Sequence, residues 1–107
     1  MAVELAVSGE VERLLGGSGW HVVHLDAAES AGLAPLGRRR RGFVAVQARL
    51  GTTTWRSSLM PSGDGRLFVA LPAHVRSAED VEEGDTVTVR VRLDPARHAV
   101  GAGPRRW

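Results

Sequence analysis

LPAHVRSAEDVEEGDTVTVRVRLD, residues 71–94, reads as a strand end, a proline-started helical turn, an acidic loop, a Gly-Asp turn and an alternating strand. In Thr86–Leu93, Val87, Val89, Val91 and Leu93 fall on one face and Thr86, Thr88, Arg90 and Arg92 on the other. That period of two predicts a strand with one side in a core. Pro72 suits the first position of a helix, where its missing N–H costs nothing. Asp85 beside Gly84 suits a tight turn in which the carboxylate holds nearby backbone amides.

Working outward, the stretch has an echo. Residues 17–31 fall in step with residues 63–77 at an offset of 46, matching Gly17 to Gly63, Gly19 to Gly65, Val23 to Val69, Leu25 to Leu71 and Ala27 to Ala73. Residues 42–50 fall in step with 85–93 at an offset of 43, matching Val44 to Val87, Val46 to Val89, Arg49 to Arg92 and Leu50 to Leu93. Self-similarity of this kind is a signal of architecture.

The remaining elements follow the same rules. Ala2–Leu14 alternates, with Val3, Leu5, Val7 and Val11 on one side, and predicts a strand bent at Ser8-Gly9. Residues 16–19 make a turn, and Trp20–Leu25 is a strand rich in β-branched residues. Asp26 and Glu29 have capping-box spacing, so a short helix should follow and end near Gly32. Residues 34–41 read as a loop ending in four arginines, Phe43–Leu50 and Thr52–Met60 as strands, 61–65 as a turn and Arg66–Leu71 as a strand. From Pro95 to Trp107 there is no periodicity, which predicts a loose tail.

Each half, about 2–50 and 52–94, is then strand, strand, short helix, strand. The expected fold is all-β with two short helices: a six-stranded double-split β-barrel formed by two pseudo-repeats in one domain, residues 1–94. Closing such short strands into a barrel hides their edges.

A length of 107 residues suits one domain with one core. No apolar run is long enough to span a bilayer, and the N-terminus lacks the apolar block of a signal peptide. With no cysteine, disulfides and thiol chemistry are excluded. A cytoplasmic location without membrane contact is the expectation. The pI of 10.9 overstates the charge: all fourteen basic residues are Arg, and the net charge is only +2.

The spacing Pro72, Val75-Arg76, Glu83-Gly84-Asp85, Val87 resembles the swapped-hairpin module of AbrB-type and MazE-type DNA-binding regulators over about 24 residues. Residues 1–94 as a whole resemble the bacterial domain-of-unknown-function family nineteen-oh-five. The matching pieces are Gly19-Trp20 with Val23, Arg41-Gly42-Phe43, the run from Gly51 to Leu59 with Pro61, and Val75-Arg76 followed by Glu83 to Val87. The resemblance implies a double-split barrel whose two halves lie in one chain, and it implies no activity. The first half carries Arg41-Gly42 where the second has Gly84-Asp85, so the two turns should differ.

Candidate chemistry is sparse. His21 and His24 point to opposite faces of a strand and cannot share a metal from that element. Ser57 and Ser58 lack a nucleophile elbow, and the acidic residues Glu79–Asp85 lack the layout of a calcium loop. Trp20, Phe43 and Trp55 are expected in the core; alternatively Trp55 and Arg56, with Ser57 and Arg76, would form a ligand site, the aromatic offering a surface and a guanidinium an anion contact. Arg38-Arg39-Arg40-Arg41 would bind phosphates, with Arg49, Arg90 and Arg92 as an extension if their strands share a face.

The expected function is a non-catalytic binding or interaction module for an unidentified small molecule or protein, with no cofactor or metal, present as a monomer or weak homodimer. The alternatives are a nucleic-acid-binding protein using Arg38–Arg41 and a small hydrolase.

Overall fold

The strand that closes the quoted stretch sits between two strands from the first half of the chain. A computed structural model describes residues 4–14 and 19–94. Its elements run β1 (Glu4–Glu10), β2 (Glu12–Arg13), β3 (His21–His24), α1 (Ala27–Leu33), a 3₁₀ helix (Ala34–Arg40), β4 (Val44–Leu50), β5 (Thr53–Pro61), β6 (Leu67–Ala70), α2 (Ala73–Glu79) and β7 (Thr86–Leu93). The strand order is β1-β7-β4-β5-β6-β3-β2, with every pair antiparallel. The two ends of that order, β1 and β2, are separated only by Val11, so the sheet curls into a nearly closed barrel.

Two long segments make the corners. The first pairs with β7 through β1 and then with β3 through β2. The second, β5, pairs with β4 over Thr53–Leu59 and with β6 at Met60 and Pro61. Strands that pass from one sheet to another in this way are how orthogonal barrels turn. The inward faces are those of the alternation. Val44, Val46, Ala48 and Leu50 of β4 are buried, as are Val89 and Val91 of β7, while Arg49, Arg90 and Arg92 are exposed. They join Val7, Val11, Val23, Leu25, Leu59, Leu67, Val69, Leu71 and Val75 in one core.

The strand count is seven rather than six, because the first strand breaks. The bend falls at Val11, not at Ser8-Gly9. There the N–H of Val11 donates to the Asp85 carbonyl at 2.8 Å, and the Val11 carbonyl accepts from Gly84 N–H at 2.8 Å. Gly84 has φ of +95°, a conformation that side chains resist, and the Asp85 carboxylate accepts from Glu82 N–H at 2.9 Å. The Gly-Asp turn thus clasps the first strand at its corner.

Local signals resolve as expected around α1. Glu29 N–H donates to the Asp26 carboxylate at 2.7 Å, and Asp26 N–H donates to the Glu29 carboxylate at 3.0 Å, a complete capping box. Pro72 is the N-cap of α2 rather than its first residue, and the helix ends on Asp80 in the left-handed conformation.

Residues 34–41 are not a loop. Pro35 opens a 3₁₀ helix that Arg41 ends with φ of 60°. Gly37 lies against the backbone of Gly42, 2.7 Å from where its own Cβ would stand. In the hairpin before β6, the Asp64 carboxylate accepts from the Ser62 hydroxyl, from Arg66 N–H at 3.0 Å and from the Arg66 guanidinium. The Ser62 hydroxyl and then Arg66 hold this carboxyl well below the usual carboxylate range.

Two of the three aromatics expected inside are outside. Trp20 is 44% exposed and Phe43 42%, whereas Trp55 is 8% exposed. Both exposed rings precede their strands, and Phe43 is out of phase with the buried Val44 and Val46. The expected tail from Pro95, residues 16–18 of the expected turn, and Ala2 and Val3 of the expected first strand lie outside the described residues.

Candidate functional site

Between α2 and the β3–β6 edge the barrel leaves a cleft of about 440 Å³. Leu71, Pro72 and Ala73 form one side, where β6 runs into α2, and Met60 and Ser57 of β5 form another. Gly19, Trp20 and His21 complete it at the start of β3. The packing dictates this placement. Leu71 N–H donates to the His21 carbonyl at 2.8 Å, which draws the start of β3 against the start of α2. Trp20, just before that contact, is left on the rim.

Arg76 brings the charge. It sits mid-helix on α2, and its Nε donates to the Leu71 carbonyl at 3.1 Å. That bond fixes the plane of the guanidinium. Its terminal nitrogens have no partner among the described residues, and a planar fork of donors held this way suits a carboxylate or phosphate oxygen pair. The cleft therefore combines an apolar floor, an exposed indole and one oriented cation.

Of the four residues expected at a ligand site, the fold brings together Ser57 and Arg76. Trp55 points into the core with its Nε1 buried and without a hydrogen-bond partner. Arg56 points out, its Nε 3.9 Å from the carboxylate of the buried Asp94. Adjacent strand residues face opposite ways, so Trp55 and Arg56 do not meet in one pocket. Trp20 and Pro72 also line the cleft, although their residue types alone do not mark them as site residues, and Trp20 lies on the rim rather than in the core expected for it.

Arg38, Arg39, Arg40 and Arg41 spread around the end of the 3₁₀ helix, with Arg40 half-buried and the other three exposed. Leu36 stands out beside them at 43% exposure. Arg49, Arg90 and Arg92 do share a face, since Arg49 stands directly opposite Arg90 and Arg92 opposite Gln47.

The histidines divide. His24 Nδ1 lies 3.0 Å from the Glu12 carboxylate, and its ring meets Phe68 edge to face at 5.8 Å. That pairing ties β2 to β3 and β6. His21 lines the cleft with Nδ1 buried and unpartnered. Ser57 lines the same cleft, but no carboxylate among the described residues does. No group of three metal-ligating side chains occurs among the described residues. No helix among them is long and apolar enough to cross a membrane.

The family model described as Domain of unknown function (DUF1905) matches residues 8–91. A search of curated proteins returns no match to the chain.

Proposed function

From the premise that the chain belongs to the DUF1905 family, we propose that it is a non-catalytic binding module whose α2 cleft takes a small molecule with an apolar, aromatic-sized body and one anionic group. The observation that carries this reading is Arg76, oriented by Leu71 over an apolar floor beside an exposed Trp20. Apolar clefts with a few convergent polar groups are where ligands bind, and a guanidinium already held in place loses less freedom on binding. Ser57 and His21 supply hydrogen bonds at the walls. A hydrolase reading would need a third group to orient His21, and the cleft lining offers none.

A thermal-shift screen with aromatic and aliphatic carboxylates tests this. A ligand that binds only the folded state raises the melting temperature, by about 2.7 kcal/mol of stabilisation at a hundredfold excess over Kd. Arg76→Gln keeps hydrogen-bonding capacity but removes the charge, and the shift should fall by most of its size. A full shift in Arg76→Gln would reject the cleft as the site.

We also propose that residues 2–50 and 52–94 are two copies of one template that complete a single barrel. Under a two-fold relation, residues matched by the repeat must face each other where the axis passes. Val23 is the cross-strand partner of Val69, and Ala48 that of Val91, at the offsets of 46 and 43. The bond from Leu25 N–H to the Leu67 carbonyl answers that from Leu71 N–H to the His21 carbonyl. The registers match Leu5 to Trp55 and Glu12 to Met60, so the first copy carries two extra residues at its corner, where the strand breaks. By the same registers Pro61 corresponds to Arg13, and Val11 falls at the insertion; Pro61 lies instead against Gly42, the counterpart of Asp85.

If the copies complete each other, one chain suffices. Light scattering should give a mass near 11.4 kDa. A mass of two chains that survives dilution would defeat this reading.

A further inference from the structure

The outer face of β4 and β7 carries a second feature, remote from the α2 cleft. Arg49 on β4 stands directly opposite Arg90 on β7, and Arg92 stands opposite Gln47. All three arginines are exposed. Opposed side chains in an antiparallel pair have Cβ atoms about 5 Å apart, and like charges so placed destabilise a sheet. Among the described residues no carboxylate lies within ion-pair distance of any of the three. Glu4 of β1, opposite Arg92, is the one acidic group lining the shallow depression they surround, about 370 Å³ in volume. Gln47 and Thr54 are its neutral hydrogen-bonding neighbours.

We propose that this face is a binding site for phosphate groups, supplied by a nucleic-acid backbone or by a free polyphosphate. Arg49 and Arg90 face each other as like charges with no ion-pair partner among the described residues, and Arg92, with only Glu4 across from it, stands two residues along from Arg90; an anion between them relieves that repulsion. Arg90 and Arg92, two residues apart on one strand, are about 6.8 Å apart along it, which sets a repeat for successive anions. Each guanidinium offers a forked pair of donors to phosphate oxygens. Gln47 and Thr54 add neutral contacts. Among the described residues its lining has no aromatic side chain, so the reading rests on phosphate contacts and not on base stacking.

Fluorescence anisotropy with a labelled 20-base-pair duplex, and titration calorimetry with inorganic tripolyphosphate, separate the two sources. The variants are the triple Arg49→Ser, Arg90→Ser, Arg92→Ser, the single Arg90→Ser, and a control in which Arg38–Arg41 are all Ser. Binding of the duplex by the wild type assigns the nucleic-acid source; binding of tripolyphosphate alone assigns the free one. For the duplex, the plot of log affinity against log salt should flatten by about 0.9 for each arginine removed. For either probe the triple variant should lose binding and the control retain it. Arg90→Ser should melt at or above the wild-type temperature, since it relieves repulsion, and it keeps the test open should the triple variant fold poorly. No binding of either probe at low salt, or equal binding by the triple variant or by Arg90→Ser, would overturn the proposal.

Discussion

Val89→Asp, and equally Val46→Asp, should leave no cooperative melting transition in circular dichroism, whereas Arg92→Ser should melt like the wild type. Val89 and Val46 are both at most 1% exposed and belong to the one core the barrel encloses. A carboxylate there finds no donor among valines and leucines and must either stay charged without solvent or bind a proton. Either costs more than about 4 kcal/mol, the range of buried unpaired charges. Domains of this size have only about 5–15 kcal/mol to lose. Arg92 lies on the same strand with its side chain in water, and its replacement should stay within about 0.5 kcal/mol. Three similar melting curves would mean that the inner and outer faces of β4 and β7 are reversed.

Trp55 gives the second large effect, and its interest is in the comparison of two substitutions. Trp55→Ala removes the largest side chain of the core cluster and should cost about 3–5 kcal/mol in chemical denaturation. Trp55→Phe keeps most of the apolar surface and deletes the indole N–H, which is buried without a partner. An unmatched buried donor costs about 1–3 kcal/mol of desolvation, so its removal offsets part of the lost volume. The Phe variant should therefore remain within about 1.5 kcal/mol of the wild type. If Phe is as damaging as Ala, the indole nitrogen has a partner in solution.

What could be read from the sequence was whatever is local. The faces of β4 and β7 follow from strict alternation, and the start of α1 from a three-residue spacing between Asp26 and Glu29. Phe43 was legible too, since its phase within the strand contradicts its hydrophobicity, and phase is the better guide. The corner at Val11 was not legible. It is fixed by two backbone bonds to residues more than 70 positions away, and backbone bonds leave no mark in side-chain pattern. The cleft was half legible. Ser57 and Arg76 could be singled out by type, but Trp20 reaches them only through the pairing of β3 with β6. Whether Arg49, Arg90 and Arg92 share a face depends on strand register, which the alternation of each strand alone does not fix.

The position of β7 between β1 and β4 also governs the order of assembly during synthesis. Glu4 meets Arg92, so β1 cannot find its neighbour until β7, which follows every other described strand, has left the ribosome. Until then β1 and β4 each present an unpaired edge to solvent or to other nascent chains. Contacts of such wide sequence separation must overcome the entropy of closing most of the chain into a loop before any of their stabilisation is gained. Acquisition of the native state is thereby gated by a single late segment.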